Sequence, residues 1–201
     1  METFVRACSA WLASRPEEAC RRAARALDGA AFAGRDAEAA SSAAALAHLA
    51  PALQGMNGPL ADAMRAAGDR IAWFESQSSE VARHMGGRNA MSQVVGPDSA
   101  HVSHDVRFGT FLIAPDTCYP RHAHSADELY IVVGGRGRWW IGDTPYRAYG
   151  PGEVVHVTPW QKHAIRTDDA PLLTLWAWMG DFDFRNYRME PDGFDADGQA
   201  I

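Results

Sequence analysis

The stretch Tyr119–Tyr130, which reads YPRHAHSADELY, decides how the rest of this sequence is interpreted. If the chain is extended from His122 onward, its side chains alternate between two faces. One of these faces then carries His122, His124, Glu128 and Tyr130. Imidazole and carboxylate groups together suit a divalent first-row transition metal such as zinc, iron or manganese. A single histidine is better explained as an ordinary hydrogen-bonding group, but two histidines and a glutamate at this spacing indicate a metal site.

A further candidate ligand, His163, lies beyond this stretch. The run Val154–Thr158 is typical of a strand, and Pro159 follows it as a turn residue. A strand, a proline-bearing turn and a returning strand would bring His163 back to the same site. His156 lies on the strand itself, and we interpret it as a structural residue or one that supports the ligands.

The second half of the chain carries the pattern of a β-protein. Short runs of β-branched and aromatic residues alternate there with glycine, proline and aspartate. Many short strands separated by turns predict an antiparallel barrel or sandwich. The runs are Ser92–Val95, Val106–Ala114, Leu129–Val133, Arg138–Ile141, Val154–Thr158 and Leu172–Met179.

The first half of the chain is predicted to be helical. Its first 50 residues include 18 alanines, which favour helices but bury little area per residue. The patterns predict two helices up to about Leu27, a third over residues 36–53 and a fourth from Leu60 to about Glu75. We therefore expect a helical segment, residues 1–88, that packs on a barrel of residues 89–188, followed by a flexible tail, residues 189–201.

Composition and charge narrow the classes of function. The 201 residues are 47% hydrophobic and 22% charged, which argues against general disorder, and the net charge is −6. A broad basic surface is not expected, so nucleic acid is not a predicted partner. Three cysteines without metal-like spacing, no signal-peptide pattern and no apolar run of roughly 18 residues predict a cytoplasmic protein that does not enter a membrane.

The stretch from His122 to Gly135 resembles the first motif of the cupin superfamily. That motif is a glycine, five residues, His-x-His, three or four residues, a glutamate, six residues and a glycine. Its spacing matches at His122, His124, Glu128 and Gly135, while Asp116 stands in place of the leading glycine. The resemblance covers roughly residues 91–185 and implies a mainly β protein, a single jelly-roll-like antiparallel cupin barrel, behind an α-helical N-terminal segment.

The second cupin motif matches more loosely. Gly152 and Pro159 are one residue further apart than in the motif, and His163 is one residue closer to Pro159 than the motif requires. Gln161 and Thr167 replace the glycine and the asparagine of the motif. The turn before His163 is therefore less closely defined by the resemblance than the first motif.

A narrower resemblance lies within the cupins. The string Tyr119-x-x-His122-x-His124-x-x-x-Glu128-x-Tyr130 is similar to the dimethylsulfoniopropionate lyases of the Q and L types. So are Gly-Glu-x-x-His156, Pro159-x-x-x-His163 and the closing Trp176-Ala-Trp178. The resemblance implies a lyase that uses one divalent metal to split dimethylsulfoniopropionate into dimethyl sulfide and acrylate by β-elimination. It also implies a small-molecule substrate and, as in many cupins, a possible homodimer.

The resemblance suggests a role for each candidate residue. It implies His124, Glu128 and His163 as metal ligands, with His122 as a further ligand or a residue that contacts the substrate. Tyr130 is the candidate base, since a nearby cation favours the phenolate form. Tyr119 is the second candidate catalytic residue. The aromatic faces of Trp176 and Trp178, which share one face of a predicted strand, would attract a sulfonium cation, although a position in the barrel core explains them equally well.

Two other functions remain open at this point. A cupin oxygenase or isomerase that acts on another small carboxylate would use a similar ligand set, but has no special need for Tyr130. A non-catalytic cupin that binds a metabolite is the third possibility. The sequence offers no recognisable DNA-binding unit to support that reading.

Overall fold

The computed structural model describes residues 1–32, 43–75 and 84–189. Its helices are α1 (Glu2–Ala13), α2 (Glu18–Asp28), α3 (Leu49–Leu53) and α4 (Pro59–Ala67). Short 3₁₀ helices span Ala44–His48, Gly68–Arg70 and Phe184–Asn186. No helix among the described residues is long and apolar enough to cross a membrane.

The described residues contain twelve strands, arranged in two sheets. The seven-stranded sheet has the order β1-β3-β2-β4-β11-β6-β9, and the five-stranded sheet has the order β12-β5-β10-β7-β8. All pairs are antiparallel except β2 with β3. The strands are β1 (Ala31–Phe32), β2 (Asn89–Val95), β3 (His101–Val102), β4 (Val106–Ile113), β5 (Cys118–His124), β6 (Ala126–Gly135), β7 (Gly137–Ile141), β8 (Arg147–Tyr149), β9 (Val154–Val157), β10 (His163–Arg166), β11 (Leu172–Gly180) and β12 (Tyr187–Met189).

The seven-stranded sheet is buried on both faces, and β11 at its centre shows why. Leu173 and Leu175 belong to the core shared with the helices, whereas Trp176 and Trp178 belong to the core between the two sheets. A strand covered on both faces carries a continuous apolar run rather than an alternating one. This accounts for the sequence LLTLWAWM in the last long strand.

The N-terminal helices pack on the outer face of this sheet. Phe4 of α1 lies 6.3 Å from Phe108 of β4, measured between ring centroids. Arg22 of α2 forms an ion pair with Asp127 of β6. The backbone of α3 approaches β6 so closely that a side chain at Gly134 would overlap the carbonyl group of α3. Small residues allow this approach, and the helices supply one of the two apolar cores.

The structure corrects two of the predicted helices. The fourth one ends at Ala67 instead of about Glu75, because Gly68 takes a positive φ of 50° and the chain is extended from Ile71. In place of a third helix over residues 36–53, a 3₁₀ helix begins at Ala44 and α3 ends at Leu53; residues 36–42 lie outside the described residues.

Two predicted boundaries can be compared with the strands. β1 lies within the segment predicted as helical, and it pairs with β3. β12 ends at Met189, the first residue of the predicted tail, and residues 190–201 lie outside the described residues. The division into residues 1–88, 89–188 and 189–201 remains a prediction.

Candidate active site

Four predicted ligands converge in the space between the two sheets. Oε2 of Glu128 lies 2.9 Å from Nε2 of His124 and 3.2 Å from Nε2 of His163. The rings of His122 and His163 are 3.9 Å apart, and a ligand atom from each of the three histidines lies within 4.8 Å of the others. All four side chains are almost completely buried.

These residues come from two sheets, which corrects the single extended strand that the sequence suggested. His122 and His124 end β5 in the five-stranded sheet, and Glu128 lies on β6 in the seven-stranded sheet. The chain passes between the sheets at Ser125, whose hydroxyl donates to the carbonyl oxygen of Asp181 at 2.7 Å. The side chains share an interior because both sheets face it.

Backbone carbonyls orient the three imidazoles. Each Nδ1 lies 2.8–3.1 Å from a carbonyl oxygen two residues away in the chain. Because a carbonyl can only accept, Nδ1 carries the proton, and Nε2 is left free as a ligand. The pairs are His122 with Pro120, His124 with Ala126, and His163 with Gln161.

The donor set fits a divalent transition metal. Nε2 of His163 is fully buried and makes no hydrogen bond to any described residue, although the Glu128 oxygen is close. Lone pairs of nitrogen and oxygen at 2.9–3.2 Å repel each other unless a proton or a cation lies near both. Separations of this size are those of neighbouring ligands bound to one ion at about 2.0–2.2 Å.

Electrostatics favour, in two of the predicted ligands, the forms that can bind a metal. Burial, followed by the neighbouring His163 and His124, holds the pKa of the His122 imidazole well below its usual value. Burial alone would raise the pKa of the Glu128 carboxyl, but attraction and hydrogen bonding from His124 and His163, in the forms that carry a proton on Nε2, outweigh it, and the pKa lies below its usual value. His122 is therefore neutral and Glu128 is a carboxylate.

Tyr130 lies beside this cluster, two residues after Glu128 on β6. Its ring is buried against Trp139, with centroids 5.8 Å apart, and lies 6.4 Å from the ring of His163. Burial, together with the negative charge of Glu128, raises the pKa of the Tyr130 phenol well above its usual value. The phenol is therefore protonated unless a positive charge enters the site.

Tyr119 pairs with a residue that the sequence analysis missed. Its hydroxyl lies 2.9 Å from the hydroxyl of Tyr187, and its ring stacks on His122 at 4.3 Å. Tyr187 stacks on His122 from 5.1 Å, because β12 places it directly opposite His124 on β5. No spacing pattern marks Tyr187, since its position depends on the pairing of two strands that are distant in sequence.

The two predicted tryptophans both point between the sheets but bind different groups. The indole N–H of Trp178 donates to Oε1 of Glu128 at 2.6 Å, and its ring lies 4.4 Å from His124. The indole N–H of Trp176 donates to the backbone carbonyls of Ser92 and Thr110, both at 3.2 Å. Trp178 therefore contacts two of the predicted ligands directly.

His156 lies outside the cluster, as its strand position suggested. Its Nε2 lies 2.6 Å from Oδ1 of Asp127, the residue that also pairs with Arg22 of α2. His156 is half-exposed and connects β9 to the helical segment through Asp127. Its contacts are those of a structural residue.

Two facing antiparallel sheets that enclose three histidines and a glutamate define a cupin with a site that could bind a metal. Residues 9–174 match the family model described as dimethylsulfoniopropionate lyase. The chain belongs to the dimethylsulfoniopropionate lyase family.

Individual relatives agree with this membership. The dimethylsulfoniopropionate lyase DddQ of Ruegeria pomeroyi is 29% identical over 133 residues, which are 66% of either protein, so the match spans just under two thirds of the curated relative. A chain from the crystal structures of the dimethylsulfoniopropionate lyases RdDddP and RnDddQII is 26% identical, with a TM-score of 0.75 over 93% of this chain and 95% of that one. The crystal structure of DddQ from Ruegeria pomeroyi is 25% identical, with a TM-score of 0.61 over 72% of this chain and 75% of that one.

Proposed function

We propose that this protein is a metal-dependent carbon–sulfur lyase that cleaves dimethylsulfoniopropionate to dimethyl sulfide and acrylate by β-elimination. The observation that carries the proposal is the buried convergence of His122, His124, Glu128 and His163 beside Tyr130. It occurs in a chain that belongs to the dimethylsulfoniopropionate lyase family.

We assign His124, Glu128 and His163 as metal ligands, because one carboxylate oxygen of Glu128 faces Nε2 of both histidines. His122 is the fourth ligand or, with its neutral ring between Tyr119 and His163, a contact for the substrate. A divalent zinc, iron or manganese ion bound here would polarise the substrate carboxylate and offset the charge of Glu128, which favours the phenolate form of Tyr130.

Tyr130 is assigned as the base. Its phenolate oxygen takes the proton from the carbon next to the substrate carboxylate, and the released electron pair forms the double bond of acrylate. The bond from the β-carbon to sulfur breaks with its electrons on sulfur, so the leaving group is neutral dimethyl sulfide. The same burial that raises the pKa of Tyr130 makes its phenolate a strong base once formed.

The neighbouring aromatic residues suit the two ends of the substrate. Tyr119 and Tyr187 share one hydrogen bond through their hydroxyl groups, and the Tyr187 hydroxyl donates to Sδ of Met189 at 3.5 Å. A substrate carboxylate beside His122 would accept one of these protons in place of the weakly bound sulfur. The rings of Trp176 and Trp178 lie 6.1 Å apart, and aromatic faces attract a sulfonium cation. We therefore assign these side chains to substrate binding, with Tyr119 next to the reacting groups.

The test is release of dimethyl sulfide into the headspace above purified protein loaded separately with zinc, iron or manganese. We expect release with at least one metal, and a loss of about 10²–10⁴-fold in Tyr130→Phe, since a positioned base contributes that much. Phenylalanine keeps the ring that packs on Trp139, so the variant should fold and retain metal. Absence of release above the Tyr130→Phe level with all three metals would contradict the proposal.

A further inference from the structure

Trp178 and Trp176 offer a comparison within one strand. Both lie on β11, both are buried, and both side chains point into the space between the sheets. The N–H of Trp176 is bound by backbone carbonyl groups, whereas the N–H of Trp178 is bound by the side-chain oxygen Oε1 of Glu128 at 2.6 Å. Two residues of the same type in equivalent positions therefore have different partners.

We infer that Trp178 is a positioning residue that fixes the carboxylate of Glu128 for metal binding. The indole N–H occupies Oε1, and the other oxygen, Oε2, is then directed at His124 and His163. A hydrogen bond to a buried carboxylate is charge-assisted and about twice as strong as one between neutral groups. The inference rests on the metal site proposed above, but it assigns Trp178 a role that binding of a sulfonium group does not require.

The sheet register makes this contact a fixed one. Trp178 lies directly opposite Glu128 in the pairing of β11 with β6, so the two side chains share one face. The carboxylate is buried, and without the indole its Oε1 would lose its hydrogen bond in a site closed to solvent. The carboxylate could then rotate, and Oε2 would no longer be held towards the histidines.

The indole itself is held on several sides. Its ring lies 4.4 Å from His124, 5.3 Å from Phe184 and 6.1 Å from Trp176, measured between centroids. These contacts hold the buried ring on three sides, and the hydrogen bond at 2.6 Å shows its N–H aimed at Glu128. A preset carboxylate lowers the cost of assembling the ligands.

The experiment compares Trp178→Phe with Trp176→Phe as a matched control, since each substitution removes one buried indole N–H from the same strand. Apparent zinc affinity is measured by competition with a chromophoric chelator, and the cobalt-substituted proteins are compared by visible absorption, which reports the geometry of the ligands. We expect Trp178→Phe to bind zinc about 10- to 100-fold more weakly and to alter the cobalt spectrum, because loss of a group that orients a ligand has this effect. Trp176→Phe should keep the wild-type affinity within about twofold, since its N–H does not reach a ligand.

Two results would overturn the inference: unchanged affinity in Trp178→Phe, or equal weakening in both variants, which would indicate a general loss of packing. If Trp178→Phe does not fold, benzothienylalanine at position 178 keeps the bicyclic ring and removes only the N–H, and the same weakening is expected. Wild-type protein that binds zinc but releases no dimethyl sulfide with zinc, iron or manganese would contradict the proposed function and leave the role of Trp178 in place. If wild-type protein bound none of zinc, iron and manganese, the proposed metal site would be contradicted, and so would this inference, which depends on it.

Discussion

At Gly134 on β6 the helical segment lies very close to the barrel, and Gly134→Ala tests that contact. A Cβ atom at this position would lie 2.0 Å from the carbonyl oxygen of Ala52 in α3 and 3.0 Å from its carbonyl carbon. The φ of Gly134 is not positive, so alanine fits the backbone itself. The clash with α3 is therefore the main cost of the substitution.

The size of the effect follows from this distance. Ordinary contact begins at 3.4 Å, so the carbonyl group of Ala52 in α3 would have to retreat by about 1.4 Å, whereas the Met56 side chain, at 3.4 Å, is already at contact distance. Overpacking of this kind costs about 1–3 kcal/mol. For a chain of this length we expect Tm to fall by roughly 2–12 °C, measured by differential scanning calorimetry or circular dichroism.

Gly29→Ala is the matched control. Gly29 has a φ of −78°, and the nearest atoms to its Cβ would lie 3.7 Å away, so the free energy of unfolding should change by less than about 0.5 kcal/mol. If Gly134→Ala unfolded at the wild-type temperature, the close packing of α3 on the barrel would be refuted.

Three further predictions concern the site. Folding holds the pKa of the His122 imidazole below its usual value of about 6.5, so the unfolded chain binds this proton at a higher pH than the folded protein does. Metal-free protein should therefore lose up to about 1.4 kcal/mol of stability per pH unit as the pH falls below about 6.5. Urea titrations at pH 5, 6 and 7 measure this slope, and His122→Gln should lack it. A variant that kept the wild-type slope would show that another group takes up the proton. Zinc at 100 times its dissociation constant should stabilise the wild type by about 2.7 kcal/mol and His163→Ala hardly at all, and equal stabilisation of both in thermal scans would exclude His163 as a ligand. Tyr187→Phe removes the hydroxyl that bonds Tyr119, so kcat/KM for dimethyl sulfide release should fall about 2- to 13-fold with unchanged metal content, whereas an unchanged kcat/KM would exclude a role for this pair.

The strands were predictable because their signals are local. The predicted runs Val106–Ala114 and Leu172–Met179 differ by one residue from β4 and β11, since β-branched and aromatic residues bounded by turn residues mark strands directly. β1 has two residues and exists only through its pairing with β3, so no local pattern identifies it.

The helical half was harder to predict, because helical spacing can continue past the end of a helix. Ile71 and Phe74 extend the apolar pattern of α4, but Gly68 ends the helix and Phe74 pairs with Met91 as an isolated bridge. Ile71 continues the apolar pattern because its side chain is buried in the core against the sheet, and not because it lies on a helix. Glycine in a positive φ outweighs periodicity here.

That the histidines and Glu128 lie together was predictable from residue type and spacing, but their contacts were not. His122, His124 and Glu128 meet because the chain changes sheets at Ser125, which strand alternation does not reveal. The positions of Tyr187 and of the Trp178 indole depend on pairing between strands far apart in sequence. Such pairings follow from the whole fold rather than from any single stretch.

The most direct test of the central claim is to follow the products of dimethylsulfoniopropionate by nuclear magnetic resonance in sealed samples, with and without oxygen. A β-elimination predicts acrylate and dimethyl sulfide in equal amounts, at the same rate without oxygen, and their loss in Tyr130→Phe. Products that require oxygen, a hydroxylated acid in place of acrylate, or an unchanged substrate with each of zinc, iron and manganese would contradict the account.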